Sequence, residues 1–386
     1  LSLSARWDST QGGGDADGIA IPGIPFRIDL PPSPKVRSPR NGERERDSNM
    51  ADVSPEKTIV VVTFNTGTPE CARAPDADYT CDDAETASAW YGTGLAHLGL
   101  MADVRAFFDG LDADIVAIQE VFHAPNCADI PEAHHAGFIC EQWQPGDETV
   151  ITRVLGPDYQ VACHRGRPDK CLAVRTDVGR FRGCNDRFCP DLLAGGITEE
   201  CGGGTRIGRG VIDLANGEVL TVVNVHGTSG ATLEDQNCRV EQFEQVFVDI
   251  RDGSGMPAAN GLRNIVLGDL NTDPGRLTLI DASARTWNAF VGEGRAFVQI
   301  SETGLLARPT YANLLNIDHV ASDAFDGDCF AGVPTETTAF DHVPIVCDLN
   351  PASAPCDSAL ACASLSACSR CHCKRVRIFS TKYPGP

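Results

Sequence analysis

Short apolar runs rich in Val and Ile constrain the fold of this chain more than any other feature. Each run is four to eight residues long and is bounded by turn-forming or helical stretches. Runs of this length and composition predict β-strands. They occupy residues 58–65, 114–121, 171–175, 219–226, 264–271, 316–322 and 342–349.

Two longer stretches repeat apolar residues at helical spacing. In 99–112 the stripe comprises positions 100, 101, 104, 107, 108 and 111, and in 233–253 it comprises 240, 243, 246, 247 and 250. Such stripes predict amphipathic helices. Because helices separate the strands along the chain, we predict an α/β fold in which helices cover the sheet layers. A hydrophobic content of 42% over 386 residues allows a sizeable core.

Composition changes near both ends of the chain. Residues 1–50 are rich in Gly, Pro, Ser and mixed charge without periodicity, which predicts a disordered leader; Met50 is an alternative start. We predict one folded domain over residues 51–349. Residues 350–386 form a Cys-rich tail, for which a disulfide tail or a mistranslated end is favoured over a metal site.

The 17 Cys residues are scattered and lack paired metal-finger spacing. We interpret most of them as disulfides, with buried free thiols as the alternative, and therefore predict a secreted or periplasmic protein. No hydrophobic signal segment or apolar stretch long enough to span a membrane is seen in the sequence.

The formal net charge of −21 argues against charge-driven binding to nucleic acid or anionic lipid, because both need a basic footprint. It does not exclude an enzyme that meets a phosphate through a metal ion.

Polar side chains stand at the ends of six of the predicted strands. A single one of them would be interpreted as a turn former. Several strand ends that converge on one ligand explain all six together. The residues are Asn65, Glu120, His226, Asp269 with Asn271, Asp318, and Asp341 with His342.

The residue types limit the chemistry. Glu120 and Asp341 offer hard oxygen ligands and Asn65 a neutral one, a set that suits Mg²⁺ or Mn²⁺ better than Zn²⁺. Two His, His226 and His342, together with the Asp residues of the set, suit proton transfer around a metal-activated water. The sequence contains no G-x-S-x-G elbow and no G-x-x-x-x-G-K-[ST] phosphate loop. Hydrolysis of a phosphate ester fits these parts.

The order of "VTFNT", "DIVAIQEVF", "VVNVHG", "VLGDLNTDP", "NIDHV" and "FDHVPIV" resembles the endonuclease/exonuclease/phosphatase superfamily. That superfamily includes deoxyribonuclease-I-like nucleases, neutral sphingomyelinases and inositol polyphosphate 5-phosphatases. The resemblance covers roughly residues 57–349. It implies a four-layer α/β sandwich, with two packed mixed β-sheets flanked by helices and a site at one edge.

The resemblance also implies roles. Glu120 is expected to be the principal metal ligand, with Asn65 beside it and Asp341 as a metal or supporting carboxylate. His226 resembles the His that donates to a phosphate oxygen or the leaving group.

The remaining roles concern water and phosphate. Asp269 resembles the Asp that orients or deprotonates the attacking water, and Asn271 the Asn that hydrogen-bonds a phosphate oxygen. His342 resembles the general base, or the group that stabilises the transition-state charge. Asp318 resembles the carboxylate that pairs with this His and fixes its tautomer.

Two departures bear on the substrate. His319 replaces the usual aromatic residue or Arg, which weakens the assignment of Asp318. Phe122 follows "QEV" where deoxyribonucleases often carry Arg, which favours sphingomyelinase-like members. We predict an extracellular nuclease, with a sphingomyelinase-like phospholipid phosphodiesterase or a non-catalytic binding protein as alternatives. The predicted partner is a phosphodiester, nucleic acid or phospholipid head group, with no stable protein partner.

Residues 163–171 concentrate Arg165, Arg167 and Lys170 in an otherwise acidic chain. A solvated loop closed by a Cys163–Cys171 disulfide is the favoured interpretation, and a phosphate-binding hairpin with these three residues as the candidate substrate-binding set is the alternative. In 200–210 we predict a flexible turn before a strand at 211–214, which leaves open a contact of Arg206 and Arg209 with substrate.

The acidic stretches 76–85 and 323–329 cluster oxygen ligands and could hold structural Ca²⁺. Neither has the full spacing of a calcium loop, so solvated acidic loops are the favoured interpretation.

Overall fold

The structure is a computed structural model that describes residues 58–67, 79–198, 201–202, 204–332 and 340–352. The predicted leader and the Cys cluster of the tail lie outside these residues, as do positions 76–78 of the first acidic stretch. Among the described helices, none has the length and apolar character needed to cross a bilayer.

Two mixed β-sheets form the centre of the fold. The first contains seven strands in the order β12-β13-β1-β2-β4-β3-β6, and the second contains six in the order β10-β11-β9-β8-β7-β5. Strands of the first sheet are β1 (Ile59–Asn65), β2 (Ile115–Gln119), β3 (Tyr159–His164), β4 (Arg167–Arg175), β6 (Phe188–Leu193), β12 (Phe325–Ala331) and β13 (Ile345–Pro351). Strands of the second are β5 (Gly179–Phe181), β7 (Ile207–Leu214), β8 (Val219–His226), β9 (Asn264–Asp269), β10 (Val298–Gln299) and β11 (Asp318–Ser322).

Helices cover the outer face of each sheet. They are α1 (Cys81–Thr86), α2 (Leu98–Leu111), α3 (Val150–Leu155), α4 (Leu233–Phe247) and α5 (Ala282–Phe290). Apolar residues of α2 and α3 share one core with the first sheet. Those of α4 and α5 share another with the second sheet, and a third core lies between the sheets. The predicted four-layer α/β sandwich is thereby confirmed.

Strand register brings the polar strand ends to one edge. Strands β1 and β2 are parallel and pair Asn65 with Gln119, so Asn65 and the next residue, Glu120, leave the sheet together. In the second sheet, β8 and β9 are parallel and pair His226 with Asp269. Strand β11 runs antiparallel to β9 and begins at Asp318, which also pairs with Asp269.

Several boundaries differ from the sequence prediction. Helix α4 ends at Phe247 rather than at 253; Ile250 is still buried in the core, but from a non-helical segment. Strand β4 begins at Arg167, because it forms a hairpin with β3. Strand β7 begins at Ile207, so the predicted turn is shorter than expected.

The acidic stretch 323–329 lies mostly in strand β12. The carboxylate of Asp323 accepts hydrogen bonds from the backbone N–H of Asn264 at 2.8 Å and from its Nδ2 at 2.5 Å. This carboxylate therefore joins the start of β9 to the segment after β11.

Candidate active site

Asn65 connects the two sheets at the shared edge. It ends β1, and its Nδ2 donates to Asp269 Oδ2 in the other sheet at 2.9 Å and to Glu120 Oε1 at 3.3 Å. Glu120 directly follows β2 with a φ of 61°, a left-handed conformation that is uncommon for a residue with a side chain. Such conformations persist where the surroundings enforce them, often at functional sites. Here the conformation turns the carboxylate of Glu120 toward Asn65.

Three side-chain oxygens converge beside Gly67. A Cβ atom built on this glycine would lie 2.9 Å from Glu120 Oε2, 3.0 Å from Asp341 Oδ1 and 3.5 Å from Asn65 Oδ1. Asp341 Oδ1 is buried and has no hydrogen-bond partner within the described residues. We call these three oxygens the oxygen cradle. An all-oxygen set with an unpartnered carboxylate atom fits a hard cation such as Mg²⁺ or Mn²⁺.

The turn after β9 fixes the carboxylate of Asp269, which is 1% exposed. Asp269 Oδ1 accepts from the backbone N–H of Asn271 at 2.7 Å, and Oδ2 accepts from Asn271 Nδ2 at 3.0 Å. Asn271 Nδ2 also donates to the carbonyl of Gly227 at 3.0 Å. In this arrangement Asn271 holds Asp269 in place, and it would have to release a hydrogen bond to donate to a phosphate.

His342 pairs with Asp318 as the resemblance implied. His342 Nδ1 donates to Asp318 Oδ2 at 2.8 Å, and His342 Nε2 lies 3.8 Å from Asp269 Oδ2. Burial would lower the pKa of His342, but Asp318, through its charge and hydrogen bond, and the charge of Asp269 outweigh it and raise the pKa to about 10. Without a bound cation, His342 is therefore an imidazolium at neutral pH, a donor rather than a base.

Asp269, Asp318 and His342 offer ligand atoms that all lie within 4.8 Å of one another, so this group is a second candidate for metal binding within the described residues. A cation on His342 Nδ1 would have to displace the hydrogen bond that this nitrogen donates to Asp318. Asp318 Oδ1 and Asp341 Oδ1 are both buried without a partner among the described residues, so this feature does not separate the two candidates. We favour the oxygen cradle because its three ligand atoms are all oxygens, the type that Mg²⁺ and Mn²⁺ prefer.

His226 is close to a carboxylate of the cradle, Glu120, and to Asp269, its register partner in β9. Its Nε2 is 3.2 Å from Glu120 Oε1 and 3.9 Å from Asp269 Oδ2. Burial would raise the pKa of Glu120, but the hydrogen bond and charge of His226 and the charge of His342 lower it to about 2. Glu120 is thus ionised.

Asp341 titrates differently. Burial raises its pKa to about 6; the charge of His342 opposes the rise, and the charges of Glu120 and Asp269 add to it. A divalent cation in the cradle would offset this repulsion between carboxylates, which is the electrostatic feature expected of an acidic metal site.

The predicted substrate-binding residues occupy different environments. Cys163 and Cys171 form the predicted disulfide, which closes the β3–β4 hairpin. At its tip Arg165 is exposed and Arg167 is half-buried. Lys170 is only 3% exposed and pairs with Asp169 at 2.5 Å, so its charge does not reach solvent freely.

Sequence reasoning missed three positions around this site. Gly67 provides the space in the oxygen cradle. Thr310 Oγ1 accepts the backbone N–H of Asp318 at 3.1 Å, and the ring centroid of Tyr311 lies 4.8 Å from that of His342. The "FNTG" sequence, with a glycine two residues beyond a strand-end Asn, could have indicated Gly67. Thr310 and Tyr311 come from a long loop without a pattern of its own.

No protein-family model and no curated protein matches the chain. Solved structures match over about three quarters of it at low identity. An endonuclease/exonuclease/phosphatase from Beutenbergia cavernae is 18% identical over 78% of this chain and 73% of that one, with a TM-score of 0.44. A functionally unknown conserved protein from Enterococcus faecalis is 12% identical over 76% and 100%, with a TM-score of 0.44. Truncated Caenorhabditis elegans TDP2 is 12% identical over 77% and 98%, with a TM-score of 0.43.

Proposed function

We propose that this chain is a divalent-metal-dependent phosphodiesterase of the endonuclease/exonuclease/phosphatase superfamily and acts as an extracellular nuclease. One observation carries the proposal. The oxygen cradle lies beside a buried Asp269 that is flanked by the imidazoles of His226 and His342, at the edge where both sheets end. A cation site, a water-orienting carboxylate and two donors are what hydrolysis of an anionic ester needs.

Asn65, Glu120 and Asp341 would hold Mg²⁺ or Mn²⁺. Bound there, the ion would offset the charge of the phosphate and increase the acidity of water. A phosphodiester is anionic and repels hydroxide, so this offset explains how a protein of net charge −21 can act on such a substrate.

The protein groups have complementary tasks. Asp269 is held by two amides and would accept a hydrogen bond, and then the proton, from the attacking water. His342, whose protonated form is stabilised by the hydrogen bond from Nδ1 to Asp318, would donate from Nε2 to a phosphate oxygen as negative charge accumulates there. His226 Nε2, which lies beside Glu120, would donate to a phosphate oxygen or to the leaving group.

The cysteines support an extracellular location. The pairs Cys127–Cys140, Cys163–Cys171, Cys184–Cys189, Cys201–Cys238 and Cys329–Cys347 stand at disulfide distance. Five pairs at this distance are typical of an oxidising compartment.

The alternative of a sphingomyelinase-like activity gains nothing from Phe122. This side chain is 6% exposed and packs edge-on against Tyr91, with ring centroids 4.9 Å apart. Phe122 is a core residue, so the presence of Phe at this position is explained by packing and does not indicate the substrate. The alternative of a silent scaffold is disfavoured by the complete set of site residues.

Nicking of supercoiled plasmid by the full chain with Mg²⁺ tests the proposal. We expect nicking that excess chelator abolishes and that His342→Ala loses. Full activity in chelator would refute the metal assignment. A folded, metal-loaded protein that hydrolyses neither plasmid nor bis(p-nitrophenyl) phosphate would refute the proposed function.

A further inference from the structure

Three cationic side chains lie close together next to the candidate active site, although the chain is acidic overall. They are Arg167, Lys170 and Arg206, which we call the cationic cluster. Asp169 is the carboxylate that pairs with Lys170. The charges of Arg167 and Arg206 act on Lys170, and that of Arg167 acts on Arg206. Cationic side chains grouped in this way favour an anion.

Arg206 connects this cluster to the active site. It immediately precedes β7, and its carbonyl accepts the backbone N–H of His226 at 2.9 Å. Its Nε is buried without a hydrogen-bond partner within the described residues. The charges of Arg167, Asp169, Glu120 and Asp269 all act on Arg206. Its guanidinium is therefore close enough to be influenced both by the active-site carboxylates and by the rest of the cluster.

The segment before β7 is shaped around the two arginines. A Cβ on Gly204 would lie 2.1 Å from Arg167 Nε, and one on Gly202 would lie 3.2 Å from Arg206 Nη2. Both glycines have positive φ, 71° and 77°, so a side chain is disfavoured by conformation as well as by space. The Cys201–Cys238 disulfide ties this segment to α4.

Lys170 and Arg167 have partners inside the protein. Lys170 pairs with Asp169, and Arg167 Nη2 donates to the carbonyl of Gly202 at 3.2 Å. Arg206 is half-buried and its guanidinium is not fully paired within the described residues, so a phosphate would add the charge-assisted hydrogen bonds that it lacks. Arg206 is therefore the member of the cluster best placed to bind a ligand.

We infer that Arg206, supported by Arg167, binds a second phosphate of the substrate, next to the phosphate that is hydrolysed. This deepens the proposed function and rests on it. The scissile phosphate would occupy the space between the oxygen cradle and the two imidazoles, whereas Arg206 adjoins His226 through its backbone. A polynucleotide supplies a phosphate on each side of the scissile one. A phosphocholine head group supplies a quaternary ammonium instead, which the guanidinium of Arg206 would repel.

Arg206→Gln tests this inference against Arg209→Gln. Arg209 lies in β7, three residues after Arg206, and its Nη2 is 3.7 Å from Asp252, which follows α4 in the chain. Arg209→Gln therefore removes one positive charge, as Arg206→Gln does, but from a residue that pairs with Asp252. Affinity for a fluorescein-labelled single-stranded oligonucleotide is measured by anisotropy in Ca²⁺ buffer at several salt concentrations. We expect Arg206→Gln to weaken binding by about tenfold and to reduce the salt slope by about 1. Arg209→Gln should bind within twofold of the wild type.

Turnover of bis(p-nitrophenyl) phosphate, which has one phosphate, separates this inference from the proposed function. Arg206→Gln should raise KM for the oligonucleotide about tenfold more than it raises KM for this substrate in Mg²⁺. Equal weakening by both variants, or none by Arg206→Gln, would overturn the inference and leave the proposed function standing. Faster wild-type hydrolysis of sphingomyelin vesicles than of the oligonucleotide would also overturn it. Wild-type inactivity on every ester would refute the proposed function, and the anisotropy data would still report on Arg206.

Discussion

Gly67→Ala should remove metal binding while leaving the fold in place. The added Cβ would lie 2.9 Å from Glu120 Oε2 and 3.0 Å from Asp341 Oδ1, at the point where the oxygens of the cradle converge. A methyl group and a coordinated cation cannot share that space. Altering residues that only support a metal ligand already costs 10–100-fold in affinity. We therefore expect a loss of about 100-fold or more, which corresponds to about 2.8 kcal/mol at 1.4 kcal/mol per tenfold.

The fold should tolerate this change. The atoms nearest to the new Cβ are the ends of flexible side chains, and Gly67 has no positive φ that would strain an alanine. Overpacking of this kind costs about 1–3 kcal/mol. Gly110→Ala is a matched control, because a Cβ there meets no atom within 4 Å and Gly110 lies in helix α2.

Calorimetric titration of the full chain with Mn²⁺ measures the effect, with thermal melting in chelator as the check on folding. The wild type and Gly110→Ala should bind Mn²⁺ alike, and Gly67→Ala should show no measurable binding over the same range. Mn²⁺ affinity of Gly67→Ala within twofold of the wild type would refute the assignment of the oxygen cradle. In that case the group of Asp269, Asp318 and His342 becomes the metal site to test.

Two further predictions concern the His342–Asp318 pair. First, His342→Ala should lower kcat by about 10²-fold or more, because it removes the donor to the phosphate. Steady-state turnover below the melting temperature of the variant measures this effect. A loss of less than fivefold would exclude His342 from the mechanism. Second, the raised pKa of His342, about 10, means that the folded chain keeps a proton that the unfolded chain loses near pH 6.5. The protonated His342 therefore contributes fully to the free energy of unfolding below pH 6.5. This contribution is lost as the pH rises toward 10, at up to about 1.4 kcal/mol per pH unit. Denaturant unfolding in chelator at pH 7, 8 and 9 should show a steeper decline for the wild type than for Asp318→Asn, and parallel declines would contradict the pairing.

The convergence of the strand ends could be predicted because it follows from pattern. A polar residue after an apolar run indicates the end at which the strand leaves the core. Parallel neighbours such as β1 and β2 then bring these strand ends to one edge of the sheet. Pattern does not show how side chains meet across the two sheets. The donation from Asn65 to Asp269 joins residues that are 204 positions apart, and no local signal encodes it.

The basic composition of residues 163–171 did not predict which of its cationic side chains faces solvent. Lys170 was predicted to face a phosphate because it stands in a basic stretch, but it is buried beside Asp169. Burial would lower the pKa of Lys170, and the charge of Asp169 opposes this shift. The sequence shows that Asp169 and Lys170 are adjacent. It does not show that Lys170 is buried, because this depends on how the β3–β4 hairpin packs in the first sheet.

The site spans two sheets, so its geometry depends on how they pack. Three amide contacts of Asn65, Gln119 and Asn224 cross between the sheets close to the site: Asn65 Nδ2 to Asp269 Oδ2 at 2.9 Å, Gln119 Nε2 to Asn224 Oδ1 at 2.8 Å, and Asn224 Nδ2 to the carbonyl of Cys171 at 3.2 Å. Gln119 immediately precedes Glu120, and Asn224 lies two residues before His226. Buried amides are costly when unpaired, so a sliding of one sheet past the other would be opposed by all three contacts at once. The same hydrogen bonds that hold the sheets in register thereby hold Glu120, His226 and Asp269 within reach of one substrate phosphate.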